Sequence, residues 1–597
     1  MCESRVRSFW QGLFPWLLLC CWLSYAAAPV VLAAAPKVKI VVQGLDGKLD
    51  RKLKDNVLAY LSLVRQQKAP ELSVHRIRRL HRRAPGEIRQ ALEPFGYYRP
   101  HIEASLTEVN GAWRAVYRID PGPPVRVGSV HIDVTGPGRD DSAIRAALAA
   151  FLLRPGDPFE HAVYEQAKAA VRNAATRNGY RDAAWASHRV HVDRDAGRAD
   201  IELLLDTGPR FHFGEVRFEG SDLSPRLLRS YVPFQPGDLW SSRELVNLQR
   251  GLVDSNYFAS VHIEAGEPDP QTRRVPLVVR LVPRKKHKYT IGAGFSTDSG
   301  PRFSLGWENR RINRRGHKLT ADLKGSLIRQ SLTGAYVIPL SRPRTDRLEF
   351  TAELKREDTV TTRSLIREFG VARSVMRGRW RETLGVSYRL EDFEVGSSDD
   401  SDGFARLLVP YGSWQRVEAD NRLVTRRGYR LEFLLSGAAR ALASDTDYAQ
   451  LLARPKWIRP MGANGRWILR ADIGTSFADS VRSLPASDRF FAGGDQSIRG
   501  YEYRSQGPVD AAGEVEGGMH LLVASIEYDH RIYEKWHAAV FFDAGNAFNE
   551  LPLDLRQGAG IGVRWESPVG MVRVDLAAAV SEPGTPVRLH FSFGPDL

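Results

Sequence analysis

From Arg284 to Leu597 the chain alternates apolar and polar residues, and helical periodicity largely disappears. Side chains of a strand point to opposite faces in turn, so alternation sorts them onto two surfaces. In Leu348–Leu354, Leu348, Phe350, Ala352 and Leu354 share one face. In Trp467–Ile473, Trp467, Leu469, Ala471 and Ile473 oppose Ile468, Arg470 and Asp472. In Val587–Phe593, Val587, Leu589, Phe591 and Phe593 oppose Arg588, His590 and Ser592. The polar face is often charged or Gly, which suits hydrocarbon outside and water inside. A soluble sandwich or propeller would bury the apolar face and want larger inward residues. About sixteen such segments begin near 288, 302, 317, 331, 346, 361, 379, 404, 429, 447, 466, 521, 536, 556, 571 and 586. The expectation is a 16-stranded antiparallel transmembrane barrel over 284–597. In lipid every backbone group must pair within the protein, so the sheet must close. The first strand (Tyr289–Phe295) must then meet the last (Val587–Phe593). The seam residues are Tyr289, Ile291, Gly292 and Gly294 on one side and Leu589, Phe591 and Phe593 on the other. Tyr289, Trp467, Tyr528, Trp536 and Trp565 are candidates for interfacial girdles.

Composition agrees. Mean hydropathy is -0.33, which excludes a polytopic helical membrane protein. The N-terminus carries Arg5 and Arg7, then an apolar core (Leu13–Leu23), then small residues. That is the pattern of an export signal, placed at 1–35 with a cut after Ala33. An uncleaved anchor helix is the alternative, disfavoured by the run of alanines and two prolines. Cys2, Cys20 and Cys21 all lie in this leader, so no disulfide and no cysteine metal site is expected downstream. The net charge of +15 therefore points to anionic lipid or a protein partner, with nucleic acid set aside.

The first half is a threefold repeat. PGPPVRVGSVHIDVTG (Pro121–Gly136) resembles TGPRFHFGEVRFEG (Thr207–Gly220). Each is followed by Pro-Gly-Asp, a helix-period segment ending in Tyr180 or Tyr257, and an alternating strand. A divergent copy with Tyr97 precedes them, and the tyrosines recur roughly every 80 residues. Each copy reads strand, helix, helix, strand, strand, with boundaries at 36–110, 113–206 and 207–283. Such α+β modules cover one sheet with two helices, and their free edges can accept an added strand. The Asp of each Pro-Gly-Asp lies in a helix N-cap neighbourhood. The run His75–Arg83 reads as a solvated helix face.

With both chain ends on one side of the barrel, the turns on that side are basic: NRRINRRGH (Asn309–His317), LSRPRTDR (Leu340–Arg347) and VTRRGY (Val424–Tyr429). Arg310, Arg311, Arg314, Arg315, Arg426 and Arg427 are expected to hold anionic phospholipid headgroups, or else to be plain solvated turn residues. On the other side, one long loop (Asp488–Asp510) separates strands eleven and twelve. Its centre reads Ile498-Arg499-Gly500-Tyr501. Alternation turns Glu527 and Asp543 inward, together with a bare stripe of Gly558, Gly560 and Gly562. The stripe leaves room for the loop to enter the lumen, where Arg499 would pair with Glu527, Asp543 or both.

Three such modules before a 16-strand barrel resemble the POTRA-barrel superfamily of BamA. The Arg499-Gly500-Tyr501 triplet resembles its loop signature. FFDAGNAF, with Asp543 and Gly545, and GVRWESPVG (Gly562–Gly570) resemble its strand motifs. FAGGDQSIRGYEY, GVRWESPVG and the ending GPDL are similar to the TamA family, outer-membrane subunits of translocation and assembly modules. The resemblance implies a Gram-negative outer-membrane location with periplasmic POTRA modules. It also implies a TamB-type inner-membrane-anchored partner. The implied clients are nascent outer-membrane proteins such as autotransporters, with phospholipid delivery as a further task, in a membrane of phospholipid and lipopolysaccharide. By the same resemblance Arg499 contacts Glu527 and Asp543, and the seam is weak and opens to lipid. A two-partner-secretion pore is the alternative, although that class usually carries two modules and a plug helix. No enzyme is expected. GFSTDSG (Gly294–Gly300) is not a nucleophile elbow, no H-E-x-x-H or Walker motif occurs, and the histidines show no ligand spacing. No catalytic residue, cofactor or metal is expected.

Overall fold

The computed structural model describes residues 37–597 apart from 46–47, 68, 70–71, 397–402, 552 and 569. The leader read at 1–35 lies outside them. Three small mixed sheets precede one large antiparallel sheet. None of the described helices is long and apolar enough to cross a membrane.

The first module contains β1 (Val38–Gln43), α1 (Lys48–Tyr60), α2 (Ser62–Gln66), α3 (Val74–Leu92), β2 (His101–Val109) and β3 (Ala112–Asp120). It has one helix more than the repeat pattern expects. The chain breaks at Leu61, whose extended backbone separates α1 from α2. The Arg-rich run lies on α3, with Ile77, Leu80, Ala84 and Ile88 turned into the core and Arg78, Arg79, Arg82 and Arg83 exposed.

The second module contains β4 (Arg126–Thr135), α4 (Ser142–Ala149), α5 (His161–Arg177), β5 (Ala184–Asp193) and β6 (Arg198–Asp206). The third contains β7 (His212–Glu219), α6 (Pro225–Arg229), α7 (Ser242–Asp254), β8 (Phe258–Ala265) and β9 (Arg274–Pro283). In all three the last strand sits centrally, parallel to the first and antiparallel to the second. Its alternate residues are buried, as Ala199, Ile201, Leu203 and Leu205 are in β6. The Pro-Gly-Asp carboxylates close their own turns, accepting from Arg154 N at 2.8 Å and Gln235 N at 2.7 Å, and cap no helix.

The barrel strands are β10 (His287–Ser296), β11 (Gly300–Asn309), β12 (Lys318–Gly325), β13 (Arg329–Pro339), β14 (Asp346–Asp358), β15 (Thr362–Arg377), β16 (Trp380–Val395) and β17 (Gly403–Ala419). They continue as β18 (Gly428–Ala438), β19 (Tyr448–Ala453), β20 (Lys456–Met461), β21 (Gly465–Ala478), β22 (His520–Tyr533), β23 (Trp536–Phe548), β24 (Arg556–Ser567), β25 (Gly570–Ala579) and β26 (Val587–Gly594). β19 and β20 are two halves of one strand, because both pair with β18 and with β21 in unbroken register. Between them sits Pro455, which has no N–H to give the ladder. The sheet therefore has sixteen strands, each beginning within two residues of its position in the alternation pattern.

Apolar residues such as Ile291, Leu305, Leu332, Phe369, Ile473, Val540 and Leu589 lie exposed on the outer face. The girdle candidates sit at the module-side ends of their strands. Trp467 meets Tyr528 with ring centroids 4.9 Å apart, and Trp536 meets Trp565 at 6.2 Å.

The first two modules form one compact unit, and the third packs with the barrel as another. The barrel's first module-side turn is the dock. Tyr257 donates its hydroxyl to Gly316 O at 2.5 Å, and Ser224 N donates to Arg314 O at 2.7 Å. Lys318 donates to Ser255 O at 2.8 Å and sits 4.9 Å from the centre of the Tyr257 ring. Burial pushes the Tyr257 hydroxyl well above its usual range, so it stays a donor. The turn's arginines serve the same joint. Arg311 pairs with Asp222, Arg314 donates to Asp222 O at 3.0 Å, and the buried Arg310 donates to Lys285 O at 2.9 Å. Arg310 and Arg311 are thus drawn into this joint, while Arg314 gives it one bond and remains exposed. Arg315 stays exposed. In the third basic turn Arg426 donates to Ala463 O at 2.5 Å and Arg427 is exposed.

Candidate functional site: the lumenal loop and the barrel seam

The segment between β21 and β22 folds back into the lumen. Short bridges stiffen it, pairing Phe490 with Gly518, Ala492 with Gln506 and Val509 with Val515. Gly500 has φ +98°, and a Cβ there would meet Ala578 C at 2.9 Å, so the loop turns tightly against β25. Below it runs the glycine stripe of β24. A side chain on Gly558 would strike the Arg499 carbonyl, and one on Gly560 would strike the Phe541 ring. Gly558 thus lets the loop backbone lie on the wall, and Gly562 leaves room for the Asp575 and Arg564 side chains.

Arg499 reaches the partners foreseen for it, and both at once. Its Nε and Nη2 fork onto the two oxygens of Asp543 at 2.8 and 2.9 Å, and its own N–H adds a third bond at 3.0 Å. Its Nη1 donates to Glu527 at 2.7 Å and to Asp575 at 3.4 Å, and Nη2 donates to Ser525 at 3.3 Å. The guanidinium lies 3.4 Å from the centre of the Phe541 ring. Gly500 N donates to His590 Nε2 at 2.9 Å, and Tyr501 donates its hydroxyl to Gln557 O at 3.2 Å.

Three members of this network were not foreseen. Arg564 is fully buried; it bonds Glu527 at 3.0 Å and Asp575 at 2.5 Å. Arg470 donates to Ser497 O at 2.6 Å and lies 3.6 Å from Asp543. Three arginines thus face three carboxylates, and the set is neutral. Such a network is costly to leave half made, because each charge has been taken from water. Arg564 was in view within GVRWESPVG, and its inward parity was the one signal available.

The seam is the opposite case. Every neighbouring pair of barrel strands shares a ladder, but among the described residues β10 and β26 share none. Thr297 N donates to Phe591 O at 3.2 Å, and Phe591 N donates to the Thr297 hydroxyl at 3.1 Å. The Phe295 and Phe591 rings meet edge-on at 5.6 Å. Ile291 is 82 % exposed, Tyr289 74 % and Leu589 59 %. Gly292 and Gly294 face Ser304 and Arg302 on β11, and Phe593 is half-buried near them.

The loop spans this gap. Asp495, four residues before Arg499, accepts from Ser296 at 2.8 Å and Thr297 at 2.9 Å on one side and meets His590 Nδ1 at 2.6 Å on the other. Since His590 Nε2 accepts from Gly500, its proton belongs on Nδ1, aimed at Asp495. Asp495 N in turn donates to Asp298 at 2.7 Å. Asp298, Asp495 and His590 offer ligand-type atoms within 4.8 Å of one another. Those of Asp495 and His590 are already used in hydrogen bonds, so the group works as a clasp. Sequence spacing could not find it, because its members come from three distant segments.

The chain end also returns to the barrel. Asp596 accepts from Arg466 at 2.6 Å and from Thr425 N at 3.1 Å, and it pairs with Arg573. It thereby braces the turn that carries Arg426 and Arg427.

The family model of the Omp85 superfamily domain matches residues 290–596, a little over half of the chain. That of TamA POTRA domain 1 matches 39–121, and the surface antigen variable number repeat matches 211–284. The outer membrane protein assembly factor BamA of Neisseria meningitidis is 22% identical over 539 residues, 77% of this chain and 65% of that protein. The BamA of Nitratidesulfovibrio vulgaris is 24% identical over 395 residues, 63% of this chain and 49% of that protein. The chain thus spans half to two thirds of the length of these relatives. The crystal structure of Haemophilus ducreyi BamA lacking POTRA domains 1–3 aligns with a TM-score of 0.64 at 16% identity. That alignment covers 78% of this chain and 99% of the other, and it shows a shared fold. The barrel lies in the outer membrane and the modules in the periplasm.

Proposed function

Because the chain belongs to the Omp85 superfamily, we propose that it is a non-enzymatic outer-membrane assembly factor working through the seam between β10 and β26. The observation that carries this is the seam itself, which one backbone hydrogen bond spans where neighbouring strands share full ladders. A strand that has lost its ladder partner is a template for another chain's strand. Nascent outer-membrane proteins, autotransporters among them, are clients of that chemistry. The first module's match to TamA POTRA domain 1 supports a TamA-type assignment. On that assignment the modules receive a TamB-type inner-membrane-anchored partner by strand addition, and phospholipid delivery is a second task of the same complex. Arg315 and Arg427, both exposed in the basic turns, face the headgroups of the inner leaflet.

The test uses the fact that residues 22–597 contain no cysteine. Cysteines at Thr297 and Phe591, where the two strands meet, should form a disulfide that stops client insertion and releases it on reduction. Full activity in the completely crosslinked protein would reject the seam mechanism. Single photo-crosslinkers at Ile291 and Leu589 should capture a client strand; capture of lipid and TamB-type partner alone would favour the delivery task.

A further inference from the structure

The lumenal wall beside the seam carries a cavity that the loop network leaves alone. It measures about 410 Å³ and is lined by Gly292, Gly294, Arg302, Ser304, Lys324 and Ser331, with Phe593 closing it from across the seam. Its size lies within the range of small-ligand sites. No Asp or Glu is among its lining residues. Arg329 also reaches it but is committed to Glu357 at 3.1 Å and Tyr503 at 3.2 Å. Among the described residues Arg302 and Lys324 have no carboxylate partner; Arg302 makes one weak bond, to Phe295 O at 3.4 Å.

Register explains why this is unusual. Ser304 stands opposite Lys324, so Arg302 lies diagonal to Lys324 on the same face. Diagonal neighbours are roughly 7 Å apart, and like charges so placed repel. Arg470, Arg499 and Arg564, which also face inward, are each matched to a carboxylate. Here two cations share a floor of glycines and hydroxyls, and a Cβ on Gly292 would press on the Ser304 hydroxyl. A planar guanidinium and an ammonium around a small bare floor suit a tetrahedral oxyanion. β10 runs from the module side outward, so Gly294, Arg302 and Lys324 stand in the outer half of the barrel. At that level the seam is crossed only by the Thr297–Phe591 hydrogen bonds and the Phe295–Phe591 ring contact, a joint weak enough to part for a headgroup from the outer leaflet.

The geometry points to a site for a phosphate ester, and specifically for a phosphorylated headgroup of an outer-leaflet glycolipid. Its acyl chains would stay in the membrane beside Ile291 and Phe295, and its phosphate would reach through the seam to Arg302 and Lys324. This uses the outer-membrane placement but not the assembly role, so failure of one leaves the other standing.

The experiment is native mass spectrometry of the full mature chain in detergent, titrated with bis-phosphorylated lipid A, dephosphorylated lipid A or inorganic phosphate. Wild type should bind the bis-phosphorylated lipid, and R302Q/K324Q at least tenfold more weakly. R302K/K324R should retain binding, and heat-modifiable migration checks that each barrel is folded. Dephosphorylated lipid should bind both proteins weakly and alike. Displacement of lipid A by millimolar inorganic phosphate would make the ligand a free anion and overturn the lipid assignment. Equal lipid binding by wild type and R302Q/K324Q would overturn the site.

Discussion

The wall from β22 to β25 and the seam between β26 and β10 are built on opposite principles, although β25 and β26 are neighbours. The wall is over-determined. Its ladders are continuous, and three arginines and three carboxylates are locked against it. The seam is under-determined, with one backbone–backbone bond, one backbone-to-hydroxyl bond and a ring contact. One loop touches both, gripping the wall through Arg499 and straddling the gap through Asp495. In a closed barrel a weak joint is tolerable only if something else holds the cylinder. Here the rigid wall anchors the strap that crosses the joint.

The largest effect should come from breaking the anchor. Arg499→Ala leaves Asp543 buried without its fork and should cost about 3–5 kcal/mol. The loop should leave the lumen, read as proteolysis of Asp488–Asp510 in intact cells and as a lower temperature of heat modification. A protected loop in this variant would mean that the wall does not hold the strap. Gly558→Ala tests the same anchor without touching a charge. Its methyl meets the Arg499 carbonyl, so about 1–3 kcal/mol should be lost. The matching change at Gly462, whose Cβ position is open, costs only the strain of its φ of +64°.

How much of this was legible follows from the same contrast. Strand positions were readable because the alternation period is enforced by lipid on one face along every strand. The pairing of Arg499 with Asp543 and Glu527 was readable because two inward carboxylates stood beside a glycine stripe that needed an occupant. Arg470, Arg564 and Asp575 were not, since an inward charge looks the same whether it is solvated or paired. Only register, which sets Gly562 opposite Asp575, decides between them. The docking role of Arg311 was hidden for another reason: its partner Asp222 lies 89 positions earlier. The extra helix break at Leu61 left no Gly or Pro at that position to announce it.

A smaller effect should follow from loosening the strap at the seam alone. Asp495→Asn keeps the shape but loses the charge that holds Ser296, Thr297 and His590 together. Hydrogen bonds to a charged group contribute about 1.5–3 kcal/mol when intact, and the amide retains part of that. Spin labels placed on β10 and β26 should show a longer and broader distance distribution, with the Arg499 anchor still protected from protease. An unchanged distribution would show that the clasp bears no load.

The smallest effect is a pH dependence confined to the seam. Asp298 lies in the turn after β10, where burial first and the Asp495 charge second push its carboxyl up to about 7, with His590 acting the other way. A free Asp titrates near 3.9, so between about pH 4 and pH 7 the docked loop keeps a proton that the undocked loop has lost. Docking is therefore strongest below about pH 4 and weakens as pH rises toward 7, with no further change from this group above that. The spin-label distances should accordingly lengthen between pH 5 and pH 8. Asp298→Asn, which cannot ionise, should hold them short across the range, while the Arg499 end of the loop stays protected at every pH. If the lengthening persists in Asp298→Asn, the seam responds to another group, and Asp298 has no part in its closure.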